Sequence, residues 1–216
     1  MQKQIPESMK TLIDDVKVAF ANDEKVKKMF ENCLTNTYET TIRQQADGTT
    51  FVITGDIPAM WLRDSAAQVR PYLMLAEQDN DMADLIQGVV QKQFEFINHD
   101  PYANAFNEEA NGNRYHNDNT KMTDWLWERK YEIDSLCYPI QLAYLLWKST
   151  GRTTQFNKTF EDAVDNIITT WKIEQNHPEN SEYHFERDNC PPQDTLSHDG
   201  KGAPVGYTGM TWSGFR

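Results

Sequence analysis

The chain has 216 residues, and 21 basic against 33 acidic side chains leave it at −12. That shortage of Lys and Arg excludes a surface built to bind nucleic acid, and no run approaches the roughly 18 apolar residues of a membrane span. Ten Phe, nine Tyr and six Trp exclude a disordered chain, because these side chains bury the most area each.

The segment Met1 to Lys10 is polar and lacks the apolar run of a secretory leader. Met9, Leu12, Ile13, Val16 and Phe20 then recur at spacings of three and four, which predicts a helix with one apolar stripe. Val26, Met29, Phe30, Cys33 and Leu34 predict a second, with Asn22 and Asp23 placed to cap it. Gln44 to Gly48 is polar and ends in an Asp-Gly turn signal. The β-rich stretch Thr49 to Thr54 predicts a short strand. Helical spacing returns in Met82, Leu85, Ile86, Val89, Val90 and Ile97. It returns again in Ile133, Leu136, Cys137, Ile140, Tyr144 and Trp147, with Gly151 as a C-terminal cap. Phe156, Phe160, Val164, Ile167, Ile168 and Trp171 form the last stripe.

The sum is about six helices with one or two short strands. A parallel α/β sheet is excluded, because strands and helices do not alternate. Asp64-Ser65 and Asp134-Ser135 each precede a segment holding a proline, Pro71 or Pro139. Proline suits the first turn of a helix, so both Asp-Ser pairs are placed at or just before helix N-termini. His99 to Met122 and Gln175 to Arg216 are long and aperiodic yet rich in Tyr, Phe and Trp. Disordered linkers are poor in aromatics, so these stretches read as ordered loops lining a site.

Three clusters carry the chemistry. Gly55 to Ser65 brings Trp61, Arg63, Asp56 and Asp64 into one short turn-rich stretch. Sugars fit such a set: their C–H faces stack on indoles and their hydroxyls need fixed donors and acceptors. The same residues also fit a plain ion pair beside a Ser65–Gln68 capping box. Asp124 to Ser135 again interleaves Trp with carboxylates. There Glu128 and Glu132, four residues apart, equally fit a solvated helix face. Gly202 to Arg216 is glycine-rich without the ending of a phosphate loop. The histidines at 99, 116, 177, 184 and 198 show no paired metal spacing and read as loop or surface residues. Cys33, Cys137 and Cys190 fit neither a disulfide framework nor a zinc site, so reduced thiols and a cytoplasmic location are expected. No serine nucleophile elbow occurs.

Taken together, these clusters resemble the signatures of glycoside hydrolase family 125. The first is Ile53-Thr54-Gly55-Asp56-Ile57-Pro58-Ala59-Met60-Trp61-Leu62-Arg63-Asp64-Ser65. The second is Tyr131-Glu132-Ile133-Asp134-Ser135-Leu136-Cys137-Tyr138-Pro139. The third is Gly209-Met210-Thr211-Trp212-Ser213-Gly214-Phe215-Arg216. Their order matches as well, and the likeness runs from about Asp14 onward. The resemblance implies an all-α fold, an (α/α)6 barrel, of which residues 1–216 would form about the N-terminal half of a single catalytic domain. It implies a metal-independent exo-acting α-mannosidase, without cofactor, that removes terminal α-1,6-linked mannose with inversion. Carried over residue by residue, it places Trp61, Arg63, Asp64, Asp134, Tyr138, Tyr207, Met210 and Trp212 on the wall of the terminal-sugar pocket. No catalytic residue carries over: the general acid is expected just after Arg216 and the general base further on. The expected partner is a mannose-containing oligosaccharide. The chain by itself is expected to be inactive and to associate through an uncovered half-barrel face. A non-catalytic mannoside-binding module or a helical scaffold is the alternative.

Overall fold

The computed structural model describes residues 4–215. Arg216, which closes the third motif, and Met1 to Lys3 of the polar N-terminal segment lie outside the described residues. Helices dominate: α1 (Glu7–Ala19), α2 (Glu24–Thr40), α3 (Leu62–Val69), α4 (Leu73–Ala76), α5 (Asn80–His99), α6 (Ile133–Thr150), α7 (Lys158–Glu174) and α8 (His177–Asn180). Five short strands join them: β1 (Ile42–Gln44), β2 (Thr50–Val52), β3 (Met60–Trp61), β4 (Ala105–Phe106) and β5 (Leu126–Glu128). The strands outnumber the one or two expected, and the fold is mostly helical rather than purely so. Strands of two or three residues are too short to show alternation.

The helices follow the stripes that predict them. Asp23 caps α2 by accepting a hydrogen bond from the Val26 N–H at 3.0 Å. Gly151 ends α6 at φ 72°, a left-handed conformation that glycine adopts without a Cβ penalty. Helix α5 runs through the middle of the core. It buries Met82, Leu85, Ile86, Val89, Val90, Phe94 and Ile97, and packs on α4, α6, α7 and β2. Gly88 faces β2 at close range. A Cβ built there would sit 2.5 Å from Thr50 Oγ1 and 2.7 Å from the Gly48 carbonyl oxygen. Gly88→Ala is therefore expected to destabilise the fold by about 1–2 kcal/mol, since overpacking costs about 1–3 kcal/mol and helix propensity returns at most about 1. A thermal or denaturant midpoint that does not fall would contradict this contact.

Two local readings are corrected. Pro139 does not mark the start of a helix but lies inside α6. It has no N–H to give to the helix ladder; the helix passes through it and buries the ring, along with Leu136, Leu142, Ala143 and Leu146. Ser65 and Gln68 form no capping box. Trp61 is the N-cap of α3, the Ser65 hydroxyl donates to the Leu62 carbonyl oxygen, and Gln68 donates to the Ile53 carbonyl oxygen.

The antiparallel sheet β3-β4-β5 sets the geometry of the site. Trp61 pairs with Ala105, and Ala105 pairs with Glu128, so these residues lie in a row across it. The Leu62 N–H donates to the Asn104 carbonyl oxygen at 3.0 Å, tying the start of α3 to the same sheet. Helices α3 and α6 pack on each other. None of the helices among the described residues is long and apolar enough to cross a membrane.

Candidate active site

The N-termini of α3 and α6 meet beside this sheet. Exposed N–H groups make a helix N-terminus partly positive, so carboxylates are favoured there. Asp64 lies in the first turn of α3, Asp134 in the first turn of α6, and Glu132 is the N-cap of α6. All three converge on the guanidinium of Arg63, itself in the first turn of α3. Arg63 Nη1 donates to Glu132 Oε2 at 2.9 Å and to the two Asp134 oxygens at 3.1 and 3.2 Å. Its Nη2 lies 3.4 Å from Asp64 Oδ2, which is buried and accepts no hydrogen bond among the described residues. Burial opposes the charge on Arg63, but Glu132, Asp134 and Asp64 outweigh it and hold its pKa above the usual value. The Ser135 hydroxyl donates to Glu132 at 2.9 Å, fixing that carboxylate from a second side.

This ion cluster forms one wall of a cavity of about 530 Å³, a size suited to a small polar ligand. Trp61, Arg63, Glu132, Asn104, Glu128 and Lys130 line that side. Gln193, Asp194, Thr195, Gly214 and Phe215 close the other. Lys130 bridges the two sides. Its Nζ lies 3.1 Å from Asp194 Oδ1 and 5.0 Å from the centre of the Phe215 ring. The hydrogen bond and the charge of Lys130 lower the pKa of the Asp194 carboxyl. Glu128 is gripped twice, by Asn104 Nδ2 at 2.7 Å and by Arg187 Nη2 at 2.8 Å. The cavity thus offers an indole, two cations and several fixed carboxylate and amide groups, which is what hydroxyl recognition requires. Among the described residues, no group of three or more His, Cys, Asp and Glu could hold a metal ion. A cavity of similar volume opens between α1 and the start of α5. It is lined by Glu7, Asp15, Asp79 and Asp81, and no motif residue reaches it.

The eight residues carried over from the motifs divide into three sets. Trp61 and Arg63 line the cavity. Asp64 and Asp134 stand behind it as partners of Arg63. Tyr138, Tyr207, Met210 and Trp212 do not line it. Tyr138 packs against the core from α6. Tyr207 and Met210 are 72% and 75% exposed. Trp212 is stacked inward on His177 and Tyr131.

Other site residues escape the sequence. Glu128 and Glu132 do not share a solvated helix face: Glu128 ends β5 and Glu132 precedes α6, with extended backbone at the N-cap. Glu132 is only 5% exposed. Asn104, Lys130 and Asp194 lie on aperiodic stretches, so no spacing marks them. The reading of all five histidines as loop or surface groups is also corrected, because His177 is buried.

Known proteins resemble this chain in sequence and in fold. Residues 23–216 match the family described as metal-independent alpha-mannosidase, glycoside hydrolase family 125. The chain is similar to the meiotically up-regulated gene 157 protein of Schizosaccharomyces pombe, with 38% identity over 219 residues. That match covers 92% of this chain and 43% of the relative. A solved structure from Streptococcus pneumoniae is also similar, with 48% identity and a TM-score of 0.94. It is described as a metal-independent alpha mannosidase in a non-productive substrate complex with α-1,6-mannobiose. The match covers 98% of this chain and 50% of that one, so the chain spans half or less of the length of these relatives. With its motifs, its fold and its sequence in agreement, the chain belongs to glycoside hydrolase family 125, the metal-independent α-mannosidases.

Proposed function

We propose that these residues form the terminal-mannose pocket of an inverting exo-α-1,6-mannosidase. The observation that carries the reading is the Arg63 cluster at the cavity wall, beside the Trp61 ring. Trp61 supplies a face for the C–H side of a sugar ring, and Arg63 supplies donors for its hydroxyls. Asp64, with a spare acceptor at Oδ2, and Asp134 hold Arg63 in register. The α-1,6-mannobiose bound by the Streptococcus pneumoniae relative supports the linkage.

Inversion requires one carboxylic acid and one carboxylate about 6.5–9.5 Å apart, with water between the base and the sugar. The cavity carboxylates are unsuited to this work. Glu132 is committed to Arg63 and Ser135, Glu128 to Arg187 and Asn104, and Asp194 to Lys130. We therefore assign both the acid and the base to segments outside these 216 residues. In this reading α1 to α8 form about half of an (α/α)6 barrel. Tyr144 and Trp147, exposed on α6, mark the face that the other half covers. The unpaired cysteines suit a reducing, cytoplasmic setting.

Two measurements test the proposal. Calorimetric titration of the 216-residue chain with α-1,6-mannobiose is expected to show binding that weakens at least about tenfold in Arg63→Ala, the loss of one or two charge-assisted hydrogen bonds. Absence of binding would overturn the pocket. The chain by itself is expected to release no mannose. Complemented with the part of the Streptococcus pneumoniae mannosidase that it does not cover, it is expected to release β-mannose first, as followed by proton NMR. Turnover by the chain alone would overturn the placement of the acid and base, and first-formed α-mannose would overturn inversion.

A further inference from the structure

His177 and Glu174 form a buried pair behind the pocket, 3% and 1% exposed. Both ring nitrogens of His177 and both carboxyl oxygens of Glu174 are engaged. His177 Nε2 lies 2.7 Å from the Lys201 carbonyl oxygen, which can only accept, so Nε2 carries a proton. His177 Nδ1 lies 2.6 Å from Glu174 Oε2. The other Glu174 oxygen, Oε1, accepts from the Tyr102 hydroxyl at 2.8 Å. One proton is shared between His177 Nδ1 and Glu174 Oε2. The His177 ring also stacks on the Trp212 indole, with centroids 3.6 Å apart and planes 15° apart.

The pair reaches the pocket through the segment it holds. The Trp212 N–H donates to the Glu174 carbonyl oxygen at 3.0 Å, and the Phe215 N–H donates to the Tyr131 carbonyl oxygen at 3.2 Å. Gly214 and Phe215 then form the far wall of the cavity. Gly202, on the strand of chain that His177 grips, packs so close to Trp212 that an added Cβ would lie 2.8 Å from the indole. His177 therefore holds the segment at Lys201 and again at Trp212.

We propose that His177 is a positioning residue of the sugar pocket: by bridging Glu174, the Lys201 carbonyl and the Trp212 ring, it fixes the segment that supplies Gly214 and Phe215. The pocket's role in sugar binding rests on the function proposed above. Tyr102 and Tyr131 are phenols whose pKa burial raises, Tyr183 likewise, and all stay neutral. The Lys201 ammonium is turned away to the Ser181 carbonyl at 3.0 Å. Arg129 lies over the Tyr102 and Tyr183 rings and is neutralised by Asp100 at 2.6 Å.

Amide hydrogen exchange of the 216-residue chain, followed by nitrogen-15 NMR, tests the proposal directly. Glu174→Gln serves as the conservative variant, because a glutamine amide can donate to a neutral Nδ1 and still accept from Tyr102. In that variant the Trp212 and Phe215 amides are expected to stay protected from exchange. His177→Gln is expected to speed exchange of those two amides by at least about tenfold, leaving the amides of Val89 and Val90 unchanged. Unchanged exchange at Trp212 and Phe215 would overturn the positioning role. If these amides respond but α-1,6-mannobiose does not bind the parent chain, the positioning stands and the sugar reading fails.

Discussion

Arg63→Ala is expected to lower the stability of the chain by about 3 kcal/mol, or about 6–12 °C in Tm for a domain of this size, alongside its loss of sugar binding. The guanidinium faces Glu132, Asp134 and Asp64, and removing it takes away the cation these carboxylates share. The costs are unequal. Asp64 and Asp134 are more than a third exposed at the side chain, so water screens much of their repulsion. Glu132 is buried and carries most of the loss. A double-mutant cycle isolates it. Glu132→Gln placed on Arg63→Ala is expected to recover at least about 1 kcal/mol, because the buried charge is then gone. Additive losses would show that the other contacts of Glu132 hold its charge without Arg63. Arg63→Lys is expected to keep the charge but lose the fork that serves two residues at once, falling between the parent and the alanine variant.

The same cluster shows what a sequence can reveal and what it withholds. Trp61, Arg63 and Asp64 are visible because they are neighbours in the chain, and a local motif preserves local neighbours. Asp134 becomes visible only through the second motif. Nothing in the spacing says that it meets Arg63, since that meeting depends on α3 packing against α6. Glu128 and Glu132 mislead for a physical reason. Four-residue spacing matches one face of a helix, but the chain between them runs from a strand into a helix cap. The long stripes of α5 and α6 are easy to read, because sustained burial imposes a helical period. The pocket's far wall is not, since Gln193, Asp194 and Thr195 fall where nothing is periodic. Trp212 illustrates the opposite error. An indole in a glycine-rich stretch looks available for a sugar, yet its face is taken by His177.

Arg187, which no motif singles out, is expected to be the most costly polar side chain to remove. Its Nε and Nη2 donate to the two Asp118 oxygens, each at 2.7 Å, and Nη2 also donates to Glu128 at 2.8 Å. The side chain is 8% exposed and that of Asp118 is 1% exposed. Burial opposes the charge on Arg187, but its hydrogen bonds to Asp118 and Glu128 outweigh it and hold its pKa well above the usual value. Arg187→Met keeps much of the volume over the Phe185 ring, 5.3 Å from the guanidinium, and leaves Asp118 buried without its cation. Loss of one partner of a buried pair costs about 3–5 kcal/mol, and here no carboxylate is exposed enough to be rescued by water. The effect should also reach the pocket. Lys130 Nζ sits 3.9 Å from Glu128 and 3.1 Å from Asp194. With Arg187 gone, Glu128 has a claim on Lys130, and the bridge to Asp194 weakens. Arg187→Met is therefore expected to reduce both Tm and α-1,6-mannobiose binding, whereas Asp118→Asn should reduce Tm and leave binding nearly intact, because Arg187 still holds Glu128. Equal losses of binding in the two variants would mean that the Arg187 fork acts on the pocket only through global stability.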